Sequence, residues 1–291
     1  MAEIIRILQN YCKFDMRHSG IVILAAAAAM IVSCKANTNS KPAENTQDKA
    51  VTEAFKTVLA NDVLSVIDDL AESYAKGSES TDLASAFTAR LTPEQLLVKP
   101  DYLLDPERVK DLLTSSQKVN ALAVLISEKP VRQAYGLPTG AVDEAIARML
   151  TETDLPIYAT QLGSGSASQA VRKSYQKCKE NGTLPLFWKF NLSFQSSLMY
   201  LISRNPELFF ESVTEEQYNS LYGRYIDCLN AARALADYDT EIAAALAIYD
   251  KYESFTDDQA SFDTFEGGKR IFCESQSFKD YCQEVRNRLL D

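Results

Sequence analysis

The segment that opens at Pro185 reads Leu186-Phe187-Trp188-Lys189-Phe190-Asn191-Leu192 and runs on to Leu201 and Ile202, with Lys189 as its only charge before Arg204. A helix of that composition is apolar nearly all round, and it is stable only where other elements cover it on every side. It reaches about the length of a membrane span, but Asn191, Ser193, Gln195, Ser196 and Ser197 set several polar groups along it. The segment therefore predicts the central helix of a bundle, and the rest of the chain must supply the helices around it.

The flanking sequence carries the matching signals. Beyond Val51, the residues Phe55, Leu59, Val63, Val66, Leu70 and Tyr74 recur at three-to-four spacing until Gly77, the period of an amphipathic helix. Thr92-Pro93-Glu94-Gln95 and Asp105-Pro106-Glu107 each place a capping side chain before a proline at the first helical position, where its missing N–H costs nothing. Val109, Leu112 and Leu113 continue the second of these, and the apolar block Ala121 to Ile126 extends or restarts it. Short helices are expected after Pro130 and after Thr139, the latter through Ile146 and Met149, and another over Ser164 to Lys179, closed by Asn181-Gly182. Thr214-Glu215-Glu216-Gln217 has the form of a capping box, with Tyr218, Leu221, Tyr222, Tyr225, Leu229 and Ala232 as one apolar face beyond it. Asp239 starts a helix through Leu246 and Tyr249, and Thr256-Asp257-Asp258-Gln259 repeats the box before a C-terminal pair. No sustained alternation marks a strand. The expected fold is all-α, a roughly ten-helix single-domain bundle over residues 49–291 with no substantial sheet and a joint near 163–166.

The N-terminal region has a different character. Gly20 to Ser33 is apolar, with five consecutive alanines, and ends at Ile31-Val32-Ser33-Cys34. It falls short of the roughly 20 residues a spanning helix needs, but has the length of a signal-peptide apolar region with Arg17 and His18 as its basic flank. An aliphatic residue, a tolerated valine, a small serine and a cysteine at its end resemble the lipobox of bacterial lipoprotein signal peptides. The resemblance covers only these residues. It implies that residues 1–33 are removed, that Cys34 carries a diacylglycerol, and that residues 34–48 form a flexible tether. Met16 followed by Arg17 and His18 makes a compact signal, so Met16 is the expected start. Because each buried methylene contributes about 0.8 kcal/mol, two or three acyl chains hold a protein to a bilayer stably. Lys35 to Pro42 is polar and lacks acidic residues, the first being Glu44. It thus departs from the acidic signals of surface-exported lipoproteins, and Lys35 does not resemble an inner-membrane retention aspartate. The expected location is the envelope of a Gram-negative bacterium, in the outer membrane facing the periplasm, with the cell surface as the alternative.

Composition then excludes whole classes of chemistry. The residues before Cys34 hold three basic and two acidic side chains, so of the chain's 30 and 40 the remainder keeps 27 and 38, a net charge of −11. Such a surface repels phosphate backbones, and no nucleic-acid partner is expected. The one histidine, His18, lies inside the signal. Without it the mature chain lacks the parts of a Ser-His-Asp or Cys-His centre and the commonest ligand for a transition metal. No metal or cofactor is expected. Cys178, Cys228, Cys273 and Cys282 remain beside Cys34. In an oxidising periplasm they can form two disulfides in any of three connectivities, or serve as four buried thiols acting as small hydrophobes.

Several motifs invite a functional reading and have a simpler one. Gly163-Ser164-Gly165-Ser166 lacks the Gly-Lys-Ser/Thr ending of a phosphate loop, and a linker with a serine cap accounts for it. Of the acidic pairs Asp68/Asp69, Glu215/Glu216 and Asp257/Asp258, the last two fall in first turns, where negative charge complements the helix dipole. Asp237 to Glu241 opens like a calcium loop but lacks its glycine and distal glutamate. The aromatic group Trp188, Phe187 and Phe190 is the best candidate binding surface for a glycan or peptide, with core packing as the competing reading. The sequence thus predicts a membrane-tethered lipoprotein with a non-catalytic binding or envelope-assembly role, its partners the lipid bilayer and an envelope protein or glycan. The alternative is a carboxylate-dependent hydrolase acting on envelope or glycan substrates.

Overall fold

A computed structural model describes residues 46–78, 91–153, 155, 166–249, 251–257 and 259–290. The residues up to 45 lie outside these, and with them the signal, Cys34 and most of the tether. The chain divides into Met1–Thr57 and Val58–Asp291. Of the first unit, only the opening turns of a helix are described.

Among the described residues there are eleven α-helices and no strand, the all-α bundle that the sequence predicts. They are α1 (Thr46–Gly77), α2 (Pro93–Leu97), α3 (Ser115–Ala134), α4 (Gly140–Thr153), α5 (Ala167–Asn181), α6 (Leu184–Arg204), α7 (Pro206–Ser212), α8 (Glu215–Leu235), α9 (Thr240–Leu246), α10 (Phe265–Glu274) and α11 (Gln276–Leu290). Short 3₁₀ turns occupy Pro106–Val109 and Tyr252–Phe255.

Helix α6 is the axis of the Val58–Asp291 unit. Pro185 sits in its first turn, and 17 of its residues are buried; α3, α8, α11 and α5 all pack against it. Its polar residues are absorbed by neighbours rather than exposed. Ser193 donates to Asn120 (2.9 Å), Gln195 to the Tyr74 hydroxyl (2.9 Å) and Ser196 to the Tyr249 hydroxyl (3.0 Å), while Ser197 accepts from Ser127 (2.7 Å). Lys189 is nearly buried, yet its Nζ reaches the Ser116 hydroxyl and Glu241. The groups bonded in this way do not carry the roughly 1–3 kcal/mol penalty of an unpaired buried donor, whereas Gln195 Oε1 and the Trp188 indole N–H are buried without a partner.

Capping chemistry sets most boundaries. Thr92 with Gln95, Thr114 with Gln117 and Thr214 with Gln217 are reciprocal capping boxes, which satisfy two of the otherwise orphaned N–H groups at a helix start. Thr114 decides the question left by the Ala121 to Ile126 block: the helix restarts there. Pro130 lies inside α3 rather than opening a new helix. Gly182, at φ 70°, ends α5, with the Thr183 N–H returning to the Cys178 carbonyl (2.8 Å), a left-handed closure that glycine adopts without strain.

Other boundaries differ from the sequence reading. The box expected at Thr256 is a turn, in which Asp257 accepts from the N–H groups of Gln259 and Ala260, both at 2.8 Å. The next helix starts at Phe265, capped by Thr264. On α1 Tyr74 is buried and Val63 and Leu70 pack half-buried against the core as expected, but Val66 is 49% exposed and Ile67, Ala71 and Ala75 complete the buried stripe. Of the joint near 163–166, only Ser166 is described, as the residue before α5.

Candidate functional site

The three aromatic residues singled out as a binding surface are core. Trp188, Phe187 and Phe190 are 0%, 2% and 5% exposed. Trp188 sits edge-on to Phe187 (5.2 Å), Tyr74 (6.1 Å) and Tyr175 (6.3 Å). Tyr74 of α1 and Tyr175 of α5 cover Trp188 and Phe187, and Phe190 stacks on Phe194 (6.1 Å), so the group is not open to a ligand. The four cysteines are free thiols, Cys178, Cys228 and Cys282 buried and Cys273 half-buried. Burial pushes the Cys178 thiol up to about 11 and raises the other three as well, which keeps them protonated and poorly nucleophilic.

The acidic pairs also have local partners. Asp68 accepts from Lys179 (2.7 Å) and from the Tyr175 hydroxyl (2.6 Å), and Asp69 is exposed. Despite the upward push of partial burial, Lys179 and Tyr175 hold the Asp68 carboxyl below its ordinary value. Glu215 and Glu216 lie exposed in the first turn of α8. Asp257 caps its own turn, and Asp258 lies outside the described residues. Asp239, in the calcium-like stretch, is the N-cap of α9 and accepts from the Ile242 N–H at 2.9 Å. Among the described residues no group of three or more His, Cys, Asp or Glu is placed to hold a metal ion. Nor is any described helix long and apolar enough to cross a membrane.

The sequence reading missed the most unusual polar structure in the molecule. Glu128 of α3 is fully buried and Arg286 of α11 is 4% exposed, and they form a charge-assisted pair across 158 residues of chain. The second Glu128 oxygen accepts from the Leu104 N–H at 2.7 Å. Arg132, one turn further along α3, stands 3.9 Å from Glu128 and donates to the Leu104 carbonyl. The network thus clamps the 101–104 segment to both helices. Burial pushes the Glu128 carboxyl above the usual range, against the pull of Arg286, the Leu104 amide and Arg132. Nε and Nη1 of Arg286 have no protein partner.

Arg286 also lines a cleft of about 300 Å³ between the 101–108 segment, α6 and α11. Arg108 and Arg204 line it too, with Asp101, Gln283 and Asn287 among the other polar residues. Arg108 and Arg204 are exposed, and among the described residues neither has an ion-pair partner. Two tyrosines hold the guanidinium groups in place: Arg204 lies over the Tyr102 ring at 5.3 Å and Arg286 over Tyr200 at 5.7 Å, an arrangement that attracts a cation to the ring face. The tyrosines are themselves fixed, Tyr102 accepting from Asn205 (2.8 Å) and Tyr200 donating to Gln283 (3.1 Å). Burial raises both phenols, Tyr102 to about 12, so both stay neutral. Chemically, the arrangement offers fixed, forked N–H donors to an anion, without a nucleophile and base set against each other.

No sequence motif announces this site, since its residues come from three separate parts of the chain. The available signal is a charge inside an apolar stripe: Arg286 shares the inward face of α11 with Phe278, Cys282, Val285 and Leu289. Comparison with known proteins adds nothing further: no family model, no curated protein and no solved structure matches the chain.

Proposed function

We propose that this chain is a bacterial lipoprotein, held in the cell envelope by a lipid on Cys34, whose helical domain has a non-catalytic binding role. The observation that carries the proposal is the short apolar segment closing on Ile31-Val32-Ser33-Cys34 behind a basic flank. A segment of that length inserts into the export machinery but does not span the bilayer. The domain beyond the tether supports a binding role through a cleft lined by three arginines, which holds oriented donors and no acid–base pair.

Metabolic labelling with an alkynyl palmitate tests the anchor. The wild-type chain, expressed with its signal in a Gram-negative host, takes up label and fractionates with the outer membrane. The Cys34→Ala variant takes up none and is released or accumulates as the precursor. Label of equal intensity in that variant contradicts the proposal.

A further inference from the structure

The cleft between the 101–108 segment, α6 and α11 has the wrong sign for this protein. The chain carries a net charge of −10, yet three arginines line one cavity against a single carboxylate, Asp101. Behind its wall, Arg132 shares Glu128 with Arg286. Among the described residues these four guanidinium groups are matched by two carboxylates, an excess of two positive charges. One of those groups is nearly buried and still has two nitrogens unpartnered. Leaving a charged donor unsatisfied in that setting is costly, and negative charge held in the cleft that Arg286 lines offsets the cost electrostatically.

We propose that this cleft is a binding site for a compact dianion, a small molecule bearing a phosphate monoester or two carboxylates. Arg286 forms its buried side, and Arg108 and Arg204 close on the ligand from the exposed side. Three features select this class. Planar guanidinium forks match the paired oxygens of carboxylate and phosphate. Among the described residues the charge imbalance equals two. The volume of about 300 Å³ lies at the small end of the range for small-molecule sites, roughly 300–1,000 Å³. Stacking on Tyr102 and Tyr200 fixes Arg204 and Arg286 before the ligand arrives, which lowers the ordering cost of binding. Both tyrosine faces are already taken by arginine, so recognition rests on charge rather than on an aromatic ring in the ligand.

The inference rests on the binding role proposed above, and calorimetry separates the two. The full chain, extracted from membranes in detergent, is titrated at fixed ionic strength with glycerol phosphate, succinate, inorganic phosphate and acetate. At least one dianion is expected to bind about tenfold or more tightly than acetate. Preference between glycerol phosphate and succinate tells phosphate from dicarboxylate, and either preference supports the site. Arg204→Gln and Arg108→Gln, at exposed positions, are each expected to weaken that dianion about tenfold. Arg286→Lys, which keeps the charge but loses the fork, is expected to weaken it as much, with the fold checked by circular dichroism. Equal affinity for acetate and every dianion, or unchanged binding in both exposed-arginine variants, overturns the proposal. Phosphorus NMR of the mixture shows whether glycerol phosphate survives: turnover overturns the non-catalytic role while leaving the site, and failure of Cys34 lipidation leaves the titration as it is.

Discussion

Replacing Glu128 by alanine tests the buried ion network, because every consequence can be counted from its geometry. Glu128 is fully buried and Arg286 is 4% exposed. Removing the carboxylate leaves Arg286 without its ion-pair partner, while its Nε and Nη1 are already unpaired, and strips the Leu104 N–H of its acceptor. Arg132 loses its neighbouring charge as well. Breaking a buried pair from one side costs about 3–5 kcal/mol, a large part of the roughly 5–15 kcal/mol that holds a typical domain folded. Pairing Glu128→Leu with Arg286→Met removes the stranded charge, leaving mainly the unpaired Leu104 amide, a cost of about 1–3 kcal/mol. The double variant is therefore expected to be more stable than Glu128→Ala. Urea unfolding at pH 7, followed by the fluorescence of Trp188, measures all three chains. A Glu128→Ala variant within about 1 kcal/mol of wild type would refute the reasoning, as would a double variant no more stable than the single one.

Further predictions concern the core and its titration. In α10, a Cβ on Gly268 would lie 1.9 Å from the Tyr218 hydroxyl, whereas at Gly223 in α8 it would meet nothing within 4 Å. Gly268→Ala is expected to destabilise by about 1–3 kcal/mol and Gly223→Ala to stabilise by about 0.5–1 kcal/mol, a contrast in sign that thermal melts will show. Burial raises the Asp227 carboxyl from 3.8 to about 6, against its hydrogen bond with Ser73 and the nearby Arg224. The folded chain then binds the proton more tightly than the unfolded one, so this contribution to stability is complete below pH 3.8 and is lost as pH rises through about 6. Asp227→Asn is expected to gain up to about 3 kcal/mol over wild type at pH 8, less what solvent screening removes, and almost nothing at pH 3.5; equal differences at both pH values would contradict this. Trp188, the only tryptophan, is expected to emit at short wavelength and resist iodide quenching in the native state, whereas ready quenching would place it at a surface.

The fold was legible because helices announce themselves locally. Pro185 and the almost uncharged run behind it identify α6, and Thr214 with Gln217 mark the start of α8. Where local chemistry serves two structures, the reading failed. Asp257 makes the same backbone hydrogen bonds in a turn as at a helix start, and the true cap, Thr264, precedes glycine at the box position. Trp188, Phe187 and Phe190 carry no mark that separates a groove from a core; only the tertiary packing that buries all three decides it. The cleft was illegible for a different reason. Arg108, Arg204, Glu128 and Arg286 meet only after α3, α6 and α11 have docked, and no spacing along the chain encodes that meeting.

On the proposed function, Cys34 becomes a lipid-bearing N-terminus. Intact-mass spectrometry of the protein extracted from membranes by detergent measures this directly. The expected species is a chain that starts at Cys34 and carries diacylglycerol, with or without a third acyl chain on its amino group. A mature chain that retains residues before Cys34, or that begins there with an unmodified thiol, contradicts it.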